Sequence, residues 1–340
     1  LAQIDTNWRA TLGKGPLESQ SKIRFGLPSV PISTIAKQFY CEKQIDFEKT
    51  IGKVTSDEEL LGTDIHKDLI DSKCEAVDID EIIESIENEA YSPCVLPLWF
   101  QVNGMTIKGI PDLIIFQNSK PVLLIELKST SRYLNRVYKN QEVQCESYGL
   151  ALEEMGFDCK DLMLAIVLVD SWVYDPLLQD DFLSPLVIDE VIASIKAGII
   201  DGINKFEPLS VDRDYEVMWH LKMYNREGAL KNINWASEYW LMKRDTSFAR
   251  HYSKCRNCQY EDECPQKLED FSVVRKEMRE KYPNAYKRWS EEDDIRLKRE
   301  FEEGTSIDEL AKMFLRNTGA IQSRLYKLEL IDDWIEAIGK

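Results

Sequence analysis

Gly109-Ile-Pro-Asp112-Leu-Ile-Ile-Phe116 and Pro121-Val-Leu-Leu-Ile-Glu126-Leu-Lys128, separated by Gln117-Asn118-Ser119-Lys120, form the stretch that decides the fold. Two apolar runs joined by turn-forming residues predict a β-hairpin. Side chains alternate between the faces of a strand, so Glu126 and Lys128 point the same way. Asp112 follows Gly109 and Pro111 at the start of the partner strand, which brings two acids and a lysine beside one hairpin. An isolated Glu-x-Lys is most often a solvated ion pair. Here the residues Val122 to Ile125 are too apolar for an exposed edge, so the charges emerge at the end of a buried strand. Carboxylates hold a hard divalent cation through oxygen, and a lysine orients or deprotonates water or steadies developing charge. Those residue types are a toolkit for hydrolysing a phosphodiester.

The composition sets bounds on this reading. A chain of 340 residues has room for one large domain and a smaller one. Its 44% hydrophobic and 30% charged residues fit a soluble globular protein. No apolar run approaches the roughly 20 residues needed to span a bilayer. The start, Leu-Ala-Gln-Ile-Asp-Thr-Asn-Trp, lacks a basic region followed by an apolar core, which predicts a cytoplasmic site and no membrane partner. It also lacks an initiator Met, as in a processed or trimmed chain. A net charge of −17 argues against a protein that coats nucleic acid nonspecifically, because such binding neutralises phosphates with Lys and Arg. It leaves room for an enzyme whose metal ions and local basic loops receive phosphates. Much of the acid lies in Asp78 to Glu89, a helical pattern with a solvated face.

Of the eight cysteines, Cys74, Cys94, Cys145 and Cys159 are scattered, as buried structural cysteines are. Cys255, Cys258 and Cys264 instead form C-x2-C-x5-C followed by Pro265, a metal-binding spacing in a chain without secretory features. A disulfide framework does not suit a reducing compartment. Three thiolates leave a four-coordinate site one ligand short, and Cys41 is the best candidate for the fourth. Zinc with four cysteines satisfies the spacing, with His251 as an alternative nitrogen ligand. A proline just after a ligand cysteine tilts the balance towards an iron–sulfur cluster. Either metal would staple the N-terminal segment to the end of the domain.

His66 stands upstream in Gly62-Thr-Asp-Ile-His66, on a predicted helix. Downstream, Asn140 to Leu150 reads as a helix on which Gln144 and Tyr148, four apart, share a face. Between that helix and Lys128, Arg132, Arg136 and Lys139 interleave with Tyr133 and Tyr138. Basic and aromatic residues together suit a single nucleic-acid strand, the rings stacking on bases and the cations meeting phosphates. Trp219, Trp235 and Trp240 read as core or as stacking residues, within a stretch from Asp201 that carries no recognisable motif.

The order Gly-x-x-x-His66, Gly-x-x-Asp112, Glu126-x-Lys128, Gln144-x-x-x-Tyr148 resembles the RecB-like branch of the PD-(D/E)xK nucleases. Cys41 upstream and the three spaced cysteines downstream narrow it to the iron–sulfur members, the CRISPR-associated RecB-like nucleases and the AddB-type and replication-associated nuclease domains. The resemblance covers about residues 30–270. It implies an α/β, restriction-endonuclease-like fold, a mixed central sheet flanked by helices with an iron–sulfur-stapled helical region. It also implies a [4Fe–4S] cluster on Cys41, Cys255, Cys258 and Cys264, and Mg2+- or Mn2+-dependent cleavage of DNA. By the same resemblance His66, Asp112, Glu126 and the backbone carbonyl of Leu127 would hold metal. Lys128 would position water or stabilise charge, and Gln144 and Tyr148 would orient Lys128 and the strand. Such nucleases act on single-stranded ends, often 5′ to 3′, in DNA processing, repair or CRISPR adaptation, in complexes with protein partners. No G-x-x-x-x-G-K-[ST] phosphate loop is present, so this chain is not a helicase fusion.

After Pro265 the chain is charged and helical through Lys281, where Pro283-Asn284 breaks it. Ser290, followed by acids, caps a helix through Phe301; Ser306 caps Ile307 to Phe314; Thr318 opens a third. Ile295, Leu310, Ile321 and Leu325 supply the apolar positions of a small all-α three-helix domain. Its pattern, Trp-Ser-x-Glu-Asp with Ala-Ile-x-Ser-Arg-Leu, resembles Myb-like helix-turn-helix domains, whose third helix enters the major groove. Arg316, Gln322, Ser323, Arg324 and Lys327 would then be its contacts. Because acids balance bases there, a protein-binding module is the other reading. The predicted organisation is an N-terminal extension (1–29), a nuclease-like domain (30–270), a helical linker (271–286) and the three-helix domain (287–330). A noncatalytic DNA-binding or complex-assembly factor on the same fold is the rival to a nuclease.

Overall fold

The structure, a computed structural model, describes residues 7–53, 78–89, 92–130, 133–170, 183–196, 205–209, 217–249, 251–255, 258–265, 267, 271–287, 289–328 and 330–331. His66, Cys74 and Arg132 lie outside these residues. The chain divides into two compact units, residues 1–249 with 258–264, and residues 250–257 with 265–340.

In the first unit the elements run α1 (Asn7–Leu12), β1 (Val30–Pro31), α2 (Ile32–Gln38), α3 (Glu42–Thr50), α4 (Ile79–Asn88), β2 (Ser92–Cys94), β3 (Leu98–Val102), β4 (Met105–Gly109), β5 (Leu113–Gln117) and β6 (Lys120–Thr130). They continue with α5 (Lys139–Glu154), β7 (Met163–Asp170), α6 (Pro185–Lys196), β8 (Glu207–Leu209), β9 (Val217–Met223) and α7 (Arg226–Trp240). The fold is α/β. A small sheet has the order β1-β4-β3, and a six-stranded sheet the order β2-β5-β6-β7-β9-β8. The large sheet is mixed: β6 and β7 are parallel and the other neighbours antiparallel. The parallel pair is linked through α5, the helical crossover that parallel strands need.

The predicted hairpin is β5–β6, with Gln117 opposite Lys120. Asn118 and Ser119 carry φ of 51° and 64°, the doubly left-handed turn that matches strand twist. Strand alternation divides the hairpin between two cores. Leu113, Ile115, Leu123, Ile125 and Leu127 pack with Ile188, Val191 and Ile192 of α6. Ile114, Phe116 and Leu124 face the α5 side with Val143 and Leu150. A strand buried on both faces reads as a continuous apolar run, which is why Val122 to Ile125 lacks polar positions.

The N-terminal segment is part of the first unit: Trp8, Leu12 and Ile23 are core residues, and Trp8 stacks on Phe157 at 4.9 Å. Trp219 and Trp240 are buried core, whereas Trp235 is 37% exposed beneath the Arg244 guanidinium. Cys94, Cys145 and Cys159 are buried thiols, as expected.

The second unit holds α8 (Tyr252–Cys255), α9 (Phe271–Lys281), α10 (Glu291–Glu302), α11 (Ile307–Met313) and α12 (Thr318–Lys327). Ser290 and Ser306 accept from the amides of Asp293 and Glu309; α12 opens at Thr318, as expected, with Asn317 as its cap through Ala320 N–H. Each cap satisfies an amide that the helix start leaves without a partner. Leu297, Leu310, Phe314, Ile321 and Leu325 form the core. Ile295 does not join it and is 70% exposed. Leu297 and Phe301 mark the inner face of α10, and two residues along a helix turn a side chain to the opposite side. No helix among the described residues is long and apolar enough to cross a membrane.

Candidate active site

The segment that links the two sheets, residues 109–112, leads into the open end of the hairpin. Asp112 is 7% exposed, and its Oδ2 accepts from the Leu127 amide at 2.6 Å, across the β5–β6 pair. Glu126 is 1% exposed and shares the α5 side of β6 with Leu124. Its Oε1 accepts from Lys128 Nζ at 2.5 Å and from Gln144 Nε2 at 2.5 Å. A charge in so buried a strand costs several kcal/mol if left alone, about 3–5 when a partner is removed. The pair with Lys128 and the Gln144 bond are what make Glu126 tolerable there.

Tyr148, one turn beyond Gln144 on α5, donates to the Ile110 carbonyl at 3.0 Å. Gly109 makes this approach possible. A Cβ at position 109 would lie 3.0 Å from the Tyr148 ring, 3.3 Å from its hydroxyl and 3.1 Å from Ile32 Cβ. The glycine of Gly-x-x-Asp112 is therefore a clearance for Tyr148, and Tyr148 in turn holds the backbone two residues before Asp112.

Electrostatics separate the roles of these groups. Burial alone would lower the Lys128 ammonium, but the charges of Glu126 and Asp112 outweigh it and raise its pKa above the ordinary lysine value. In this arrangement Lys128 donates to Glu126. Burial, reinforced by the Glu126 charge, pushes the Tyr148 phenol up, so it acts only as a neutral donor. The Cys145 thiol is pushed up by burial and by Glu126, Glu146 and Asp112, which leaves an inert core sulfur.

Asp112, Glu126, Lys128, Gln144 and Tyr148 are thus brought together, while His66 falls outside the described residues. Among the described residues no three His, Cys, Asp or Glu side chains gather into a metal-holding group. The site offers two carboxyl groups, hard oxygen donors that fit Mg2+ or Mn2+.

Of the basic and aromatic residues after β6, Tyr133 is 72% exposed. Arg136 lies over the Tyr138 ring at 5.1 Å, and Lys139, the first residue of α5, pairs with Glu142 at 3.1 Å. His220, on β9, fixes this loop: its Nε2 is 2.6 Å from the Leu134 carbonyl. Burial lowers the His220 pKa, so the ring is neutral and donates Nε2–H to that carbonyl. Two residues on, Lys222 binds Glu146 and, at 3.0 Å, Glu142, while Asn232 binds Glu146 at 2.8 Å. These bonds seat α5, and so Gln144 and Tyr148, on the sheet. Sequence reading missed His220 and Lys222. Their signal was the spacing already used for Glu126 and Lys128, two polar residues on alternate positions of an apolar strand.

Around the cysteines, Cys41 precedes α3 and Glu42 is fully buried. Arg244 clasps Glu42 at 2.6 and 2.8 Å, and the Ser247 amide donates to it at 2.6 Å. This clasp lays residues 244–249 beside Cys41, where the Ala249 amide donates to the sulfur at 3.3 Å. Gln44 Nε2 donates to Cys258 Sγ at 3.2 Å. Burial raises the Cys41 thiol, the amides of Ala249, Gln44 and Lys43 pull it down, and neighbouring Cys258 raises it again. Cys41, Cys258 and Cys264 belong to the first unit; Cys255 ends α8 in the second.

In the second unit Arg316 is 3% exposed and donates to the carbonyls of Asn284 and Lys287, at 2.8 and 3.0 Å. Arg324 pairs with Asp294 through the Nε–Nη2 edge of its guanidinium, Nε donating at 2.6 Å. Gln322 and Ser323 are half-buried, and Lys327 is exposed. Both arginines, expected as DNA contacts, make these bonds within the module.

No family model matches the chain. No curated protein matches it either. A solved structure described as "Crystal structure of SSO0001" aligns over 77% of this chain and 96% of its own, with a TM-score of 0.37 and 12% identity.

Proposed function

We propose that the protein is a metal-dependent DNA nuclease of the RecB-like PD-(D/E)xK type. The observation that carries this reading is the meeting of Asp112 and Glu126 with Lys128, Gln144 and Tyr148 at one end of the hairpin. Asp112 and Glu126 would hold Mg2+ or Mn2+, with the Leu127 carbonyl and His66 completing the ligands. A bound ion supplies Lewis-acid stabilisation of the phosphoryl oxygens. Lys128 would position the attacking water or stabilise the developing charge. Gln144 and Tyr148 hold Lys128, Glu126 and the Asp112 segment in register. Tyr133 and Arg136 present a ring and a cation to a single strand, the pairing that suits an exonuclease on single-stranded DNA or DNA ends.

The cysteine motif supports a [4Fe–4S] cluster on Cys41, Cys255, Cys258 and Cys264. Amide donors to the Cys41 sulfur and a side-chain donor to Cys258 fit thiolate ligands, whose charge such donors stabilise. Anaerobically purified protein should be brown, with iron and sulfide; colourless protein with stoichiometric zinc would replace the cluster by a zinc site. The three-helix module would serve DNA binding or partner binding.

A noncatalytic DNA-binding or assembly factor is the second reading. It is favoured by the way Lys128 and Gln144 already satisfy one oxygen of Glu126. Cleavage of end-labelled single- and double-stranded DNA with Mg2+ or Mn2+ decides between them. Cutting that is lost in Asp112→Ala and Lys128→Ala protein supports the nuclease. DNA binding with no cutting under any ion supports the second reading.

A further inference from the structure

Residues 133–138 lie between the strand that carries Glu126 and Lys128 and the helix that carries Gln144 and Tyr148. Their side chains divide by direction. Leu134 and Val137 pack against the core, while Tyr133, Asn135 and Arg136 are exposed. The far end of the segment is tied to α5, where the Tyr138 amide donates to Gln141 Oε1 at 2.8 Å. Its near end is tied to the sheet, where His220 reaches the Leu134 carbonyl from 86 positions along the chain.

Sheet register places that tie in line with the carboxylates. Glu126 on β6 pairs with Ile166 on β7, and Ile166 pairs with His220 on β9, which makes one row across the sheet. Residues paired across neighbouring strands share a face, and Ile166 belongs to the core on the α5 side. His220 therefore faces the same side as Glu126, two strand spacings or about 10 Å away. Lys222, two positions on, faces that side as well but grips α5 through Glu142 and Glu146. The two residues thus hold different parts of the site, one the loop and the other the helix.

His220 is 1% exposed, and its bond to Leu134 fixes which ring nitrogen carries the proton. Removing this donor takes from a part-buried carbonyl its histidine partner, and lifting the loop regains one from water. Lifting would carry Tyr133, Asn135 and Arg136 with it. Glu126, Lys128, Gln144 and Tyr148 would keep the bonds they make to one another and to the segment before Asp112.

We propose that His220 is a positioning residue for single-stranded DNA. By holding the Leu134 carbonyl it sets Tyr133 and Arg136 where a strand lying along the Glu126 row meets them, so it governs binding of the strand and not the chemical step. The proposal rests on the nuclease reading of the hairpin. Its test compares wild type, His220→Leu, which keeps bulk and loses the donor, and His220→Gln, whose amide restores an N–H of similar reach. His220→Asn, too short to reach the carbonyl, takes the place of His220→Leu if that variant does not fold.

Three readouts are taken on the full chain: the rate of trypsin cleavage after Arg136, anisotropy of a labelled single-stranded oligonucleotide in EDTA, and single-turnover cleavage of that strand in Mn2+ over a range of protein concentrations. Trypsin should cut His220→Leu about fivefold faster, as the loop opens more often. Binding should weaken about tenfold, the loss of roughly one stacked base. The half-saturating concentration for cleavage should rise by the same factor while the maximal rate stays within about threefold of wild type, the pattern of lost uniform binding. His220→Gln should return each value to within about threefold of wild type. Unchanged binding by His220→Leu, a maximal rate that falls as far as binding does, or a His220→Gln protein as weak as His220→Leu would overturn the positioning role. Wild-type protein that binds the strand and cuts nothing would remove the nuclease reading, and the binding and trypsin results would still decide the role of His220. Wild-type protein that neither binds nor cuts would remove both.

Discussion

The site in the first unit and the three-helix domain of the second place charges by opposite means. Glu126 and Lys222 are buried in the sheet, and their partners come from a helix up to 80 positions away. Arg324 and Asp294 sit on the flanks of two capped helices, 30 positions apart and each about a fifth exposed. Burial makes the first kind of arrangement sensitive to single deletions and fixes its geometry. Partial exposure makes the second kind tolerant, because water replaces a lost partner.

Lys222→Met breaks this contrast most severely. It leaves Glu146 buried without its cation and should cost about 3–5 kcal/mol in urea unfolding, whereas Asp294→Asn should cost about 1 kcal/mol or less. The pH dependence follows from the two ends of the clamp. For Lys222, burial is outweighed by Glu146 and Glu142 and the pKa is raised, so its stabilisation is full below 10.5 and fades as pH climbs past the raised value. For Glu142, burial is outweighed by Lys139 and Lys222 and the pKa is lowered, so its stabilisation is present above 4.5 and is lost as pH falls through the lowered value. The difference between wild type and Lys222→Met should therefore shrink on acidification below pH 4.5. A difference that grows towards low pH would contradict the clamp.

A smaller effect sharpens the link between Gly109 and Tyr148. Gly109→Ala should cost about 1–3 kcal/mol, because the added methyl meets the Tyr148 ring and Ile32. Thermal unfolding of Gly109→Ala matched with Gly109→Ala/Tyr148→Phe checks the account: the hydroxyl clash is relieved only in part, since the ring contact persists. In the second unit Ser306→Ala should cost about 1 kcal/mol by loss of its cap, and Ile295→Lys should fall within about 0.5 kcal/mol of wild type. A large loss from Ile295→Lys would mean that this exposed residue is covered.

What was legible in the sequence was what depends on neighbours along the chain. The hairpin followed from two apolar runs and the turn between them, Gln144 and Tyr148 from helical spacing, and the serine caps from polar residues before acidic first turns. Packing across long separations was not legible. Nothing local says that Trp8 reaches Phe157 or that His220 meets Leu134. Helical pattern names the apolar positions but not which face the neighbours cover, which is how Ile295 was placed inside and Arg316 outside. The role of Gly109 needed Tyr148 in place.

The account stands on Glu126. Glu126→Gln keeps the shape and an oxygen for Lys128 and Gln144 while removing the negative charge that would hold a cation. Single-turnover cleavage of end-labelled single-stranded DNA in saturating Mn2+ should fall by about a thousandfold in this variant, with its melting temperature near that of wild type. Equal cleavage by wild type and Glu126→Gln would contradict the assignment of the hairpin as the catalytic centre.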